Sequence, residues 1–132
     1  SLLTTLVPRR MPTDPSKVPL WCSNVRVVDL SRWVSKVCDS DLRWAASSFS
    51  QAQVLVVCGE KRWWGSDVSD AGLLAVSQHM KSLTSLDLRF CRKVSDAGVR
   101  SLRGLPNLQQ LWLRDGSMMS SDGIWEAVRE TA

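Results

Sequence analysis

Two blocks of apolar and polar positions recur along this chain in the same order. Val68-Ser69-Asp70-Ala71-Gly72 returns unchanged as Val94-Ser95-Asp96-Ala97-Gly98, 26 residues on. Downstream of each, the spacing of Leu83, Leu86 and Leu88 returns as Leu108, Leu111 and Leu113, 25 residues on. Two motifs sharing one period mark an internal repeat, which has to be settled before any local reading. Weaker copies extend it in both directions. Val25, Val28 and Leu30 keep the spacing, as do Ala52, Leu55 and Val57, and Ser120-Ser121-Asp122-Gly123-Ile124 restarts the polar block. The pattern predicts four strands, each followed by a helix, with the last helix closing the chain.

The residue types fit those elements. The last two apolar positions of each L-x-x-L-x-L block are two apart, so they share one face of a strand and the residue between them faces the other way. Ser-Asp-x-Gly ahead of an apolar run is a helix start, because a Ser or Asp oxygen accepts from the free amides of the first turn. Val99, Leu102 and Leu105 then form an apolar stripe, and Leu73, Val76, Ser77 and Met80 form another. Leu105 precedes Pro106 and ends the third helix. A unit this small cannot bury its own leucines and must stack on its neighbours. The expected fold is therefore α/β: a short leucine-rich-repeat solenoid of about four strand–helix repeats, with parallel strands on the concave face.

Length and composition narrow the picture. The 132 residues suit one domain, divided into an extended Pro-rich arm and cap over 1–24 and the repeat domain over 25–132. Pro8, Pro12, Pro15 and Pro19 disfavour a helix in the arm, and Leu20-Trp21 is the expected cap on the first strand. No apolar run is long enough to span a bilayer. The net charge of +4 is spread over separate pairs, Arg9-Arg10, Lys61-Arg62 and Arg92-Lys93, and forms no stripe of the kind nucleic acid selects. Cys22, Cys38, Cys58 and Cys91 match no zinc spacing, and they read as reduced, packed thiols. The chain opens on Ser1 without a secretory signal, and its first acid is Asp14, which fits material just after a cleaved organellar presequence.

V-S-D-A-G followed by L-x-x-L-x-L-x-x-C, with Cys91 at the cysteine position, resembles the cysteine-containing leucine-rich repeat known from F-box substrate receptors. From Val25 to Ala132 the chain is also similar to the family of mitochondrial ATP synthase subunit s (coupling factor B) and related respiratory-complex assembly proteins. That likeness rests on the opening strand Val27-Val28-Asp29-Leu30-Ser31, the widened second repeat between Val57 and Leu88, and the Lys93–Val99 and Leu102–Leu108 segments. The resemblance implies a non-enzymatic accessory or assembly subunit of a mitochondrial inner-membrane complex, on the matrix side. Its partners would be protein subunits of that complex, with any membrane association passing through them.

On a solenoid the strand residues facing away from the core form the binding surface. Alternation puts Asp29, Val56, Asp87 and Trp112 in one expected column and Ser31, Cys58, Arg89 and Arg114 in the next. Arg89 and Arg114 are expected about 4.8 Å apart, either paired with Asp87 and Asp115 or clamping a partner's carboxylates. Trp112 is the leading anchor. A second candidate is the lengthened segment Gly59–Ser66, where Trp63 and Trp64 stand beside Lys61 and Arg62. No catalytic, cofactor-binding or metal-ligating set is expected: His79 is the single histidine, and it lacks an evident acid or nucleophile partner. Two other classes compete. One is an RNA-contacting subunit of an organellar ribosome, which the positive charge would suit. The other is an F-box type substrate-receptor fragment, for which the residues before the first strand are too few and too proline-rich.

Overall fold

The computed structural model describes residues 5–8, 20–32, 36–57, 66–113 and 118–120. Strand β1 (Thr5–Leu6) opens the described chain. The four repeated blocks then form β2 (Val27–Asp29), β3 (Val54–Val56), β4 (Ser85–Asp87) and β5 (Gln110–Trp112), and β6 (Met118–Ser120) follows. The six strands lie side by side in chain order. β1 to β5 are parallel, and β6 runs antiparallel to β5. Helices α1 (Asp39–Ser48), α2 (Asp70–His79) and α3 (Asp96–Ser101) occupy the three connections from β2 to β5, and each packs against the next. The chain is thus α/β, with a five-stranded parallel sheet and three helices among the described residues. The expected fourth helix lies outside them.

Register follows from the apolar blocks. Leu6, Val28, Leu55, Leu86 and Leu111 stand opposite one another across the sheet. The last four are fully buried, as are Leu42, Leu73, Val76, Met80, Leu102 and Leu105 from the helix side. Each such side chain removed from water contributes about 1.5–3 kcal/mol. The approach to each strand repeats as well. The carbonyl of Arg26 accepts from both Gln53 and Val54, that of Gln53 from Thr84 and Ser85, and that of Thr84 from Gln109 and Gln110. One unit is therefore laid on the next with its hydrogen-bond pattern preserved.

The helix starts depart from expectation in an informative way. The Ser-Asp motif was expected to cap its own helix, and Ser95 Oγ does accept from Ala97 at 3.3 Å. The stronger contacts run between units. Asp39, first residue of α1, accepts from Ser69 N at 2.7 Å, Ser69 Oγ at 2.5 Å and Gly72 N at 3.2 Å. Asp70, first residue of α2, accepts from Ser95 N at 2.8 Å and Ser95 Oγ at 2.5 Å. Each aspartate caps the next helix, not its own. The glycine of the motif follows from this close approach: a Cβ at Gly72 would lie 2.6 Å from Asp39 Oδ1, and one at Gly98 would collide with Asp70.

These bonds to Ser95 hold the Asp70 carboxyl below its ordinary pKa of 3.8. The folded state therefore binds fewer protons here than the unfolded chain. The stabilisation is complete above that ordinary value and is lost as pH falls through the folded one. Urea unfolding of the native chain and of Asp70→Asn, followed from pH 5.5 downward, should differ most at the top of this range. The two curves should converge in acid. A constant gap would show that the charge plays no part.

The edge of the sheet beside β2 is closed by a strand the repeat pattern did not announce. Leu20-Trp21 was expected to cap the first strand, yet Thr5–Leu6 pairs with Val27–Val28 along that edge. Leu20–Asn24 forms a 3-10 turn, and Cys22 within it and Val25 just after it are buried in the core. A sheet edge left open invites pairing with other chains, so a short covering strand has a physical use.

Candidate functional site

The face of the sheet turned away from the helices carries the column expected from alternation. Asp29, Val56, Asp87 and Trp112 are register partners on successive strands, and Val27, Val54, Ser85 and Gln110 form the parallel column. Val27, Val54, Val56 and Trp112 are half-buried and Gln110 is exposed. The result is an apolar patch of Val27, Val54 and Val56 on β2 and β3, with Ser85 and Asp87 of β4 between it and Trp112.

Asp87 differs from its neighbours. It is only 6% exposed because Arg89 lies over it. Arg89 Nε donates to both carboxylate oxygens at 3.1 and 3.0 Å, and its second terminal nitrogen donates to Asp87 Oδ2 at 2.7 Å. The Arg89 backbone amide also donates to Asp87 Oδ1 at 3.0 Å. The same turn recurs after β2, where Ser31 N donates to Asp29 Oδ1 at 2.8 Å. Each strand-end aspartate therefore fixes the chain leaving its strand. The guanidinium of Arg89 also stands 5.3 Å from the centre of the Trp112 ring, a cation–π distance. Asp87, Arg89 and Trp112 form one packed unit in which the carboxylate holds the arginine and the arginine supports the ring. Of the two uses foreseen for Arg89, pairing within the chain is the one observed.

Arg114, Trp63 and Trp64 lie outside the described residues, as does Cys58. The lengthened segment lies outside the described residues up to Ser66. From the end of β3 at Val56 to the start of α2 at Asp70 the chain is longer than from Asp29 to Asp39 or from Asp87 to Asp96.

Other chemistry is sparse. Cys22, Cys38 and Cys91 are free thiols, and burial pushes the Cys22 thiol up from its ordinary pKa. Cys38 begins α1, where its amide and thiol donate to Asp41 Oδ2 at 3.0 and 3.2 Å. His79 is exposed at the end of α2. Among the described residues no group of His, Cys, Asp and Glu side chains is placed to hold a metal ion. No helix among them is long and apolar enough to cross a membrane. A cavity of about 120 Å³ opens between Leu88, Cys91, Val94, Val99 and Leu113. That is below the roughly 300–1,000 Å³ usual for small-molecule sites. No family model matches the chain.

Sequence reasoning named Asp29, Asp87, Arg89 and Trp112 and foresaw the Asp87–Arg89 pair, but not that Arg89 also supports the Trp112 ring. Alternation placed Val56 on this face, but the valines were not named as contact residues. Their signal was present, since Val27, Val54 and Val56 occupy the outward positions of strands whose surroundings are polar.

Proposed function

We propose that this chain is a short leucine-rich-repeat solenoid that works as a non-enzymatic protein–protein interaction module. Its binding surface is the open sheet face, with Trp112 as anchor and Val27, Val54 and Val56 as apolar floor. Arg89 and Asp29 supply its polar groups. The observation carrying this reading is the in-register column Asp29–Val56–Asp87–Trp112, with a ring supported by Arg89 on a face that none of the described helices covers. The repeated carbonyl pattern and the two aspartate clips support the solenoid. Aromatic and arginine side chains of this kind dominate the energetics of protein interfaces.

The role is that of an accessory or assembly subunit of a mitochondrial inner-membrane complex, on the matrix side. This part rests on the resemblance to ATP synthase subunit s and its relatives. The test is a photoreactive phenylalanine analogue in place of Gln110, with the same analogue at Gln78 on the helix side as control. Irradiation of the tagged protein in mitochondria should cross-link position 110 to subunits of an inner-membrane complex. Equal products from both positions, or ribosomal RNA from position 110, would contradict the reading.

A further inference from the structure

The helix side carries a second surface, distinct from the open sheet face. Asp39, Asp70 and Asp96 are the first residues of α1, α2 and α3. The aspartate clips fix each later helix start against the one before it. Counting from those starts, the fifth residues are Arg43, Leu74 and Arg100, and all three are exposed. Leu74 is 49% exposed, which for a large apolar side chain in mid-helix leaves half its surface in water. The neighbouring row toward the helix starts is Ser40, Ala71 and Ala97, small and exposed, so no bulk shields the leucine on that side. Among the described residues neither Arg43 nor Arg100 pairs with a carboxylate. At the helix starts Asp39 and Asp70 are held by serines and Asp41 by Cys38, while Asp96 stands exposed one turn before Arg100. The row therefore reads cation, apolar, cation across three adjacent helices.

We propose that this row docks an extended acidic protein segment carrying carboxylate, apolar and carboxylate side chains at every third position. Spacing and charge both argue for it. Helices packed side by side stand about 8–10 Å apart. A polyproline-type segment turns once in three residues with a rise of about 3.1 Å, so its aligned side chains are about 9 Å apart. A β-strand presents a face every ~6.6 Å and a helix every ~5.4 Å, and neither matches. Arginine takes carboxylates through paired N–H donors, and the net positive charge favours an acidic partner.

The probe is a dye-labelled peptide, Pro-Glu-Pro-Pro-Leu-Pro-Pro-Glu-Pro, titrated with the intact chain and read by fluorescence anisotropy. Saturable binding is expected, weakened about tenfold or more by Arg43→Glu with Arg100→Glu and by added salt. Leu74→Ser should weaken it about threefold or more, since it removes one partly buried apolar contact. Trp112→Ala should leave it unchanged, which separates this surface from the sheet face. The isomer Pro-Pro-Pro-Glu-Leu-Glu-Pro-Pro-Pro should bind several-fold more weakly. Circular dichroism confirms that each variant is folded. Three results would each overturn the proposal: no saturable binding, equal affinity of the native chain and the charge-reversed variant, or equal affinity of the two peptides. Capture by phosphatidylserine vesicles without peptide binding would likewise overturn it and assign the row to a membrane surface.

Discussion

Leu86→Ala is expected to lower the free energy of unfolding by about 2–5 kcal/mol. Leu86 is fully buried at the centre of the sheet, with Leu55 and Leu111 as its register partners. Alanine there leaves a void that neighbours on two strands and the helix layer cannot close together. Leu111→Ala should fall in the same range, because it occupies the same position one strand on. Leu74→Ala, on the outer face, should change stability by no more than about 0.5 kcal/mol. Urea denaturation separates these outcomes. Similar losses at 74 and 86 would mean that the helix side is covered within the folded chain.

The second large effect concerns the clip between units. Asp39→Ala removes three hydrogen bonds to a carboxylate, to Ser69 N, Ser69 Oγ and Gly72 N. It should destabilise the chain by about 2–3 kcal/mol, since bonds to charged groups are the stronger kind and the freed amides lose their acceptor. Ser69→Ala in the Asp39→Ala background should add little, which a double-mutant cycle measures directly. Gly72→Ala should cost about 1–3 kcal/mol in the native chain, because its new Cβ meets Asp39 Oδ1. That cost should shrink once Asp39 is alanine. Additive losses throughout would show that the motif acts within single helices and not between them.

The aspartate clip marks the boundary of what the sequence made legible. The recurrence of Val-Ser-Asp-Ala-Gly was plain, and it placed α2 and α3 correctly. Its purpose was hidden, because a cap within one helix and a cap from the helix before use the same letters. Strand positions and the open-face column were legible because alternation along a strand is set by backbone geometry alone. The edge strand Thr5–Leu6 was not, since two residues carry no periodicity. Nor was Phe90, which holds a φ of 64° in the turn after β4, a conformation usually left to Gly or Asn. Asp87 was named both as a surface contact and as a partner for Arg89, and it is buried because Arg89 doubles back over its own strand end. Alternation predicts which way a side chain points but not what its neighbours do above it.

Function was legible only as far as the surface. That this face meets another protein is proposed from its half-buried valines and from Trp112, supported by Arg89. The partner's identity comes from resemblance and has to be measured. The most direct measurement is affinity capture of the tagged chain from gently solubilised mitochondrial membranes, with Trp112→Ala as the paired sample and mass spectrometry as readout. The account predicts that the native chain retains subunits of the ATP synthase or a respiratory complex and that Trp112→Ala loses most of them while remaining folded. Retention of the same subunits by both, or recovery of ribosomal proteins and RNA instead, would contradict it.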